Sequence, residues 1–118
     1  MCAERLKAFD DAMLTCLELA TRAEQQGDVP VGAVVLDPQG NIIGRGYNVR
    51  ESKHDPAGHA EIVALRDAAE GRGGWRMEGC TLVVTLEPCT MCAGAILVSR
   101  ICTVVFGGWD PKAGAAGS

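Results

Sequence analysis

Aromatic residues are scarce: two tryptophans, one tyrosine and two phenylalanines make up 4% of the chain. Aliphatic side chains must therefore fill the core. Long apolar runs are missing as well. No stretch approaches the roughly 18 consecutive apolar residues of a membrane-spanning helix, so no membrane partner is expected. The amino terminus, MCAERLKAFDD, carries charges where a secretory signal needs an apolar stretch. The expectation is a cytoplasmic protein whose thiols stay reduced. Cysteine is present but not dense. Six residues (Cys2, Cys16, Cys80, Cys89, Cys92 and Cys102) fall below the about 8–10% of a disulfide scaffold, and close pairs then read as metal or redox sites. There is no excess of positive charge either. Eleven basic against 15 acidic residues give a net charge of −4, which excludes indiscriminate nucleic-acid binding but leaves room for a local basic surface. With no repeats and no interior linker, the 118 residues read as a single domain, residues 1–118, able to bury somewhat over 60% of its unfolded surface.

What is there is an alternation of helical and extended patterns. Apolar residues at 6, 9, 13, 16, 17 and 20 predict a helix from Leu6 to about Gln26, ended by Gly27 and Pro30. Val31–Leu36 reads as a buried strand, Asp37–Gly40 as a turn with Pro38 second, and Asn41–Asn48 as a returning strand. Gly44 and Gly46 in that second strand mark either a bulge or a close backbone approach. A helix is expected from His59 to about Ala69, a strand over Thr81–Leu86, a helix over Pro88–Val98 and a strand over Ile101–Phe106. The last three imply a parallel pair with a right-handed crossover. The order α-β-β-α-β-α-β predicts an α/β fold with a mixed sheet of at least four strands flanked by helices.

Two short motifs each open a predicted helix: His59-Ala60-Glu61 and Pro88-Cys89-Thr90-Met91-Cys92. Cysteines three apart in the first turns of a helix share a face and can hold one ion. The helix start favours their thiolates, the form that binds metal. One imidazole completes a Cys₂His set, the arrangement of a catalytic zinc with a fourth position left for water. A carboxylate two residues from the histidine can handle protons for that water. Residues two apart in a regular helix point to nearly opposite sides, so His59 and Glu61 share a site only if His59 stands at the irregular helix edge. Taken singly, each piece has an ordinary reading. A CxxC opening a helix after a strand is also a redox arrangement, and Cys89 and Cys92 can join Cys80 or Cys102 in a structural zinc site. His59 can be a hydrogen-bonded surface residue and Glu61 a carboxylate favoured by the helix dipole.

Taken together, H-x-E followed by P-C-x-x-C is similar to the signature of zinc nucleobase and nucleoside deaminases. Val29–Val34, Gly46-Tyr47-Asn48, His54-Asp55-Pro56, Thr85–Cys89 and Asp110–Ser118 resemble the bacterial tRNA-specific adenosine deaminase family. The resemblance implies a three-layer α/β/α cytidine deaminase-like fold with helices on both faces of the sheet. It implies a zinc ion (Zn2+) on His59, Cys89 and Cys92, Glu61 as proton shuttle, and Asn48 in contact with the base. The implied reaction is hydrolysis of adenosine to inosine at the wobble position of a tRNA anticodon loop, usually by a homodimer. Family members run several tens of residues beyond Ala-Ala-Gly-Ser, so the C-terminal helices are expected to be lacking here. Gly58 is smaller than the family's usual residue and is expected to loosen the approach to the second helix.

Two alternatives stand beside this reading. One is the same zinc chemistry on a free nucleobase or nucleoside of cytosine or guanine type, mildly favoured by the net charge. The other is a thiol redox or structural zinc protein, which leaves His59-Ala60-Glu61 unused. Arg50, Lys53, Arg72, Arg76 and Lys112, all in predicted loops, are candidates for phosphate contact. Asp110, in the loop after the last strand, has two readings: it only initiates a turn before Pro111, or it lies near the site and accepts a hydrogen bond from a ribose 2′-hydroxyl.

Overall fold

A computed structural model of the chain describes residues 2–108, with side chains from residue 6 onward. The elements follow the expected order. They are α1 (Cys2–Gln25), β1 (Gly32–Leu36), β2 (Ile42–Tyr47), α2 (Ala60–Arg72), β3 (Thr81–Val84), α3 (Thr90–Val98) and β4 (Thr103–Phe106). The four strands form one mixed sheet in the order β2-β1-β3-β4, with β1 antiparallel to both neighbours and β3 parallel to β4. Strand alternation sorts the central residues into two layers. Ala33, Val35, Leu82 and Val84 pack with Ala60, Ala64 and Ala68 of α2 and Ile96 of α3, while Val34, Leu36 and Val83 pack with Ala12, Cys16 and Leu19 of α1. This is the three-layer α/β/α architecture. The core is aliphatic: the largest fully buried side chains are Leu36, Met77 and Leu82, followed by valines and cysteines. Among the described residues no helix is long and apolar enough to cross a membrane.

The helices lie close to the sheet because the strands are notched with glycine. A Cβ on Gly44 would meet Ala64 O, one on Gly46 would meet Ala60 O, and one on Gly32 would meet Cys16 O. The pairing also slips between Val35 and Leu36, where Ile43 is left over beside Gly44. Bulge and close approach therefore coincide. Tight contact explains a difference in α1, where Leu6, Leu14 and Leu17 stay exposed while Ala12, Ala20 and Ala23 are buried. At such short range α1 meets the sheet mainly through alanine, and of Leu6, Leu14, Leu17 and Leu19 only Leu19 is buried there. Helix α2 also runs three residues past Ala69 and stops where Gly73 takes the left-handed conformation, φ 72°.

Candidate active site

Both motif-bearing helices begin at one end of the sheet. His59 is the residue before α2, with extended φ/ψ of −74° and 150°, and Cys89 stands in the same position before α3, at −77° and 176°. Neither side chain caps its helix. A position usually given to Ser, Thr, Asp or Asn thus leaves an imidazole and a thiol free to point elsewhere. The extended backbone at His59 also resolves the spacing problem. Glu61 sits within the first turn of α2 and His59 outside the helix, so the two line the same pocket.

His59 Nδ1 lies 3.5 Å from Cys89 Sγ and 3.4 Å from Cys92 Sγ. All three ligand atoms fall within 4.8 Å of one another. A tetrahedral zinc with Zn–S of about 2.3 Å and Zn–N of about 2.0–2.1 Å separates N from S by about 3.5 Å, so the set fits the ion. The electrostatics agree. Burial, with the Arg50 charge second, holds His59 below the usual imidazole range, which favours the neutral ring that metal ligation needs. The expected lowering of thiol pKa by the helix start is not met at Cys92. Burial first, and then the Glu61 charge, push that thiol up. Two sulfurs and a carboxylate gathered without a cation disfavour the thiolate, and a divalent ion supplies the missing charge. Glu61 is itself buried, 4% exposed, and burial raises its carboxyl above the ordinary value.

Cys80 and Cys102 do not join this set. They precede β3 and β4, whereas Cys89 follows β3, so roughly 13 Å of strand separates them from the site. Cys16 is buried in the α1 layer, its thiol donating to Val83 O at 3.3 Å, and burial pushes its pKa to about 12. The sulfurs of Cys89 and Cys92 both face the His59 imidazole as well as each other, an arrangement that a simple redox pair leaves unexplained.

The pocket at the site has a volume of about 170 Å³ and is lined by His59, Glu61, Cys89, Val29, Asn48 and Leu86 among others. This is below the roughly 300–1,000 Å³ of drug-sized ligand sites and suits a single base. Asn48 is buried, its N–H donating to Val31 O at 3.1 Å and its Oδ1 accepting from Arg50 N–H at 3.1 Å. Glu87, buried at 2% exposure, also lines the pocket, and its N–H donates to Gly108 O at 2.7 Å. Asp110 and Lys112 lie outside the described residues. Arg50 is at the pocket, with Lys53 three residues on in the same exposed loop. Arg72 is at the far end of α2, donating to Cys80 Sγ, and Arg76 lies over the Trp75 ring. Those two are about 20 Å of helix away from His59. Gly58 does not loosen the approach to α2: its N–H donates to Asp55 O and its O accepts from Val49 N–H at 2.8 Å, while a Cβ there would lie 3.0 Å from Val49 Cγ2.

Residues 6–108 match the family described as the cytidine and deoxycytidylate deaminase zinc-binding region. The chain belongs to that family. It is 55% identical over 111 residues to the tRNA-specific adenosine deaminase of Haemophilus influenzae, an alignment covering 93% of this chain and 64% of the relative. A tRNA:A34 deaminase solved in work on A-to-I editing at the wobble position superposes with a TM-score of 0.89 at 42% identity, covering 92% of this chain and 83% of that one. Guanine deaminase from Bacillus subtilis superposes with a TM-score of 0.80 at 33% identity, covering 85% and 64%. The chain thus spans less than two thirds of the length of the Haemophilus relative. Sequence reasoning assigned no role to Val29, Leu86 or Glu87. All three fall within the stretches Val29–Val34 and Thr85–Cys89 that carry the family resemblance, and Leu86 and Glu87 directly precede Pro88-Cys89.

Proposed function

We propose that this chain is a zinc-dependent hydrolytic deaminase that converts adenosine to inosine at the wobble position of a tRNA anticodon. On this reading residues 1–118 act as one zinc deaminase domain, in the cytoplasm and as a homodimer. The observation that carries it is the His59, Cys89 and Cys92 cluster with buried Glu61 beside it, at the floor of a base-sized pocket. His59, Cys89 and Cys92 would hold a zinc ion, which would supply the Lewis acidity that lets water attack at neutral pH. Glu61 moves the protons: its carboxylate takes one from the attacking water and passes it to the purine ring nitrogen, then takes the second from the hydroxyl so placed on C6 and passes it to the amine, which leaves as ammonia while the C6 carbonyl forms. Asn48 hydrogen-bonds the base edge from the opposite wall, and Leu86 and Val29 exclude water from the faces of the ring. Asp110 accepts a 2′-hydroxyl from a flanking nucleotide, so Asp110→Asn should raise activity on a DNA version of the loop relative to RNA; an unchanged ratio refutes that role. Exposed Trp75, Leu97 and Val98 support the homodimer, which light scattering tests.

The choice of tRNA is supported by 55% identity to a tRNA-specific adenosine deaminase, against 33% to a guanine deaminase. The second reading, a free-base deaminase, draws on the likeness to the latter fold and on the acidic net charge of −4. Incubating zinc-loaded protein with tRNA, adenosine, guanine and cytosine in parallel separates the two. The proposal expects ammonia release from tRNA, with binding that weakens steeply with salt. Release from free guanine or cytosine alone overturns it.

A further inference from the structure

Asp28 is a buried acid that the reaction above leaves unused. It directly follows the last turn of α1, its N–H donating to Ala23 O at 2.9 Å, and it is 5% exposed. Both carboxylate oxygens reach the loop after β2. Oδ1 accepts from Glu51 N–H at 2.7 Å and Oδ2 from Ser52 N–H at 3.2 Å. Hydrogen bonds to an ionised acceptor are the strong ones.

The neighbouring amides of that loop find partners within it. Arg50 N–H goes to Asn48 Oδ1, Lys53 N–H to Val49 O and Asp55 N–H to Arg50 O. Glu51 and Ser52 turn instead to Asp28, so the loop's backbone donors are completed from outside. His54 in the same loop holds a positive φ of 51°, a conformation that needs support from its surroundings. Asp28 therefore joins two walls of the pocket. Its own segment continues into Val29 and Val31, and the loop it grips begins with Asn48 and Arg50, all four of which line the pocket. The gripped loop also reaches the residue before His59, through Val49 N–H to Gly58 O, whereas Glu61 and Cys89 stand at helix starts packed on the sheet.

We propose that Asp28 is a positioning residue: its carboxylate fixes the Asn48–Ser52 segment as the outer wall of the pocket, so that Asn48 and Arg50 meet the nucleotide already in place. This rests on the deaminase reading above. Without the carboxylate the segment gains freedom that substrate binding must remove, a cost in affinity more than in the chemical step.

The test compares wild type, Asp28→Ala and Asp28→Asn on a tRNA anticodon stem-loop, with zinc content and amide hydrogen exchange measured in parallel. Asp28→Ala is expected to raise KM roughly tenfold while kcat stays within about threefold, the pattern of lost uniform binding. Zinc content should hold, and exchange should quicken at Glu51 and Ser52 but not in β1 or β3. Asp28→Asn keeps an oxygen for the shorter bond and should recover part of the KM. If the alanine variant does not fold, the asparagine variant is judged by the same split. An unchanged KM, or a KM rise accompanied by lost zinc and exchange rising throughout the sheet, overturns the role. A wild type inactive on the stem-loop overturns the deaminase reading and this role with it. An active wild type with an unaffected Asp28→Ala overturns the Asp28 role alone.

Discussion

Replacing Gly46 by alanine probes the link between the packing of the sheet and the chemistry. A Cβ there would run into Ala60 O and lie 2.5 Å from Ala64 N and 2.9 Å from Val63 Cβ, where ordinary contact begins at 3.4 Å. Two of these atoms are backbone, so no side-chain rotation relieves them. Either the start of α2 backs away from β2 by about 1 Å or the edge strand β2 moves. Overpacking of this kind costs about 1–3 kcal/mol, which for a domain of this size lowers Tm by about 4–12 °C. Because β2 is tied on at both ends of its pairing with β1 and Asn48 N–H is held by Val31 O, the helix is expected to yield. It carries Glu61 and is entered through His59, and a 1 Å misplacement at a reacting centre costs about 10²-fold in rate. Calorimetric melting and initial-rate measurements on zinc-loaded protein test both halves. Gly71→Ala is the control: nothing lies within 4 Å of a Cβ there, so the same change in α2 should stabilise by up to about 1 kcal/mol. A Gly46→Ala variant that melts with wild type refutes the packing argument. One that melts low but keeps full activity shows that β2, not α2, gave way.

Cys89→Ser and Cys92→Ser should each lose zinc and activity, as elemental analysis and rate assays will show, while Cys102→Ala keeps both; full zinc occupancy in the Cys89/Cys92 double variant contradicts the ligand set. Glu61→Gln should keep its zinc yet lose at least about 10²-fold in rate; loss of the metal would make Glu61 a ligand instead. Burial pushes the Asp37 carboxyl up, but hydrogen bonds from Asn41 and Gln39 outweigh it and hold the group below the ordinary Asp value. A depressed pKa stabilises the fold above the unfolded value, about 3.9, and that contribution is lost as pH falls through the folded one. The Tm difference between wild type and Asp37→Asn should therefore be present near neutral pH and shrink below about pH 4; a difference that grows on acidification contradicts the sign.

The fold was legible because it depends on local patterning, and the metal set because its two motifs resemble the zinc deaminase signature. The continuous apolar run Val31–Leu36 read as a buried strand and the glycines of β2 as a bulge or a close backbone approach, and the structure has both, with α2 as the approaching element. H-x-E and P-C-x-x-C brought out His59, Cys89 and Cys92, which the structure gathers as a possible metal site, and the Glu61 carboxylate that lines the same pocket. The walls of the pocket were less legible, because they come from chain segments far apart in sequence. Nothing local distinguishes Asp28 from a residue that merely ends a helix, since its partners are 23 and 24 residues on. Arg72 and Arg76 looked equivalent to Arg50 as loop cations, and only the length of α2 separates them from the site. The thiol pKa was misjudged at Cys92 for a similar reason, as the helix dipole is readable from sequence but the burial of the thiol against Glu61 is not.

The most direct test of the central claim uses a tRNA anticodon stem-loop carrying adenosine at the wobble position, incubated with zinc-loaded wild type and with Glu61→Gln and analysed by mass spectrometry of the digested RNA. The account predicts the mass change of an amine replaced by oxygen at that one nucleotide with wild type, and unmodified RNA with Glu61→Gln. Unmodified RNA with wild-type protein that still deaminates free guanine or cytosine, or equal conversion by the Glu61→Gln variant, would contradict it.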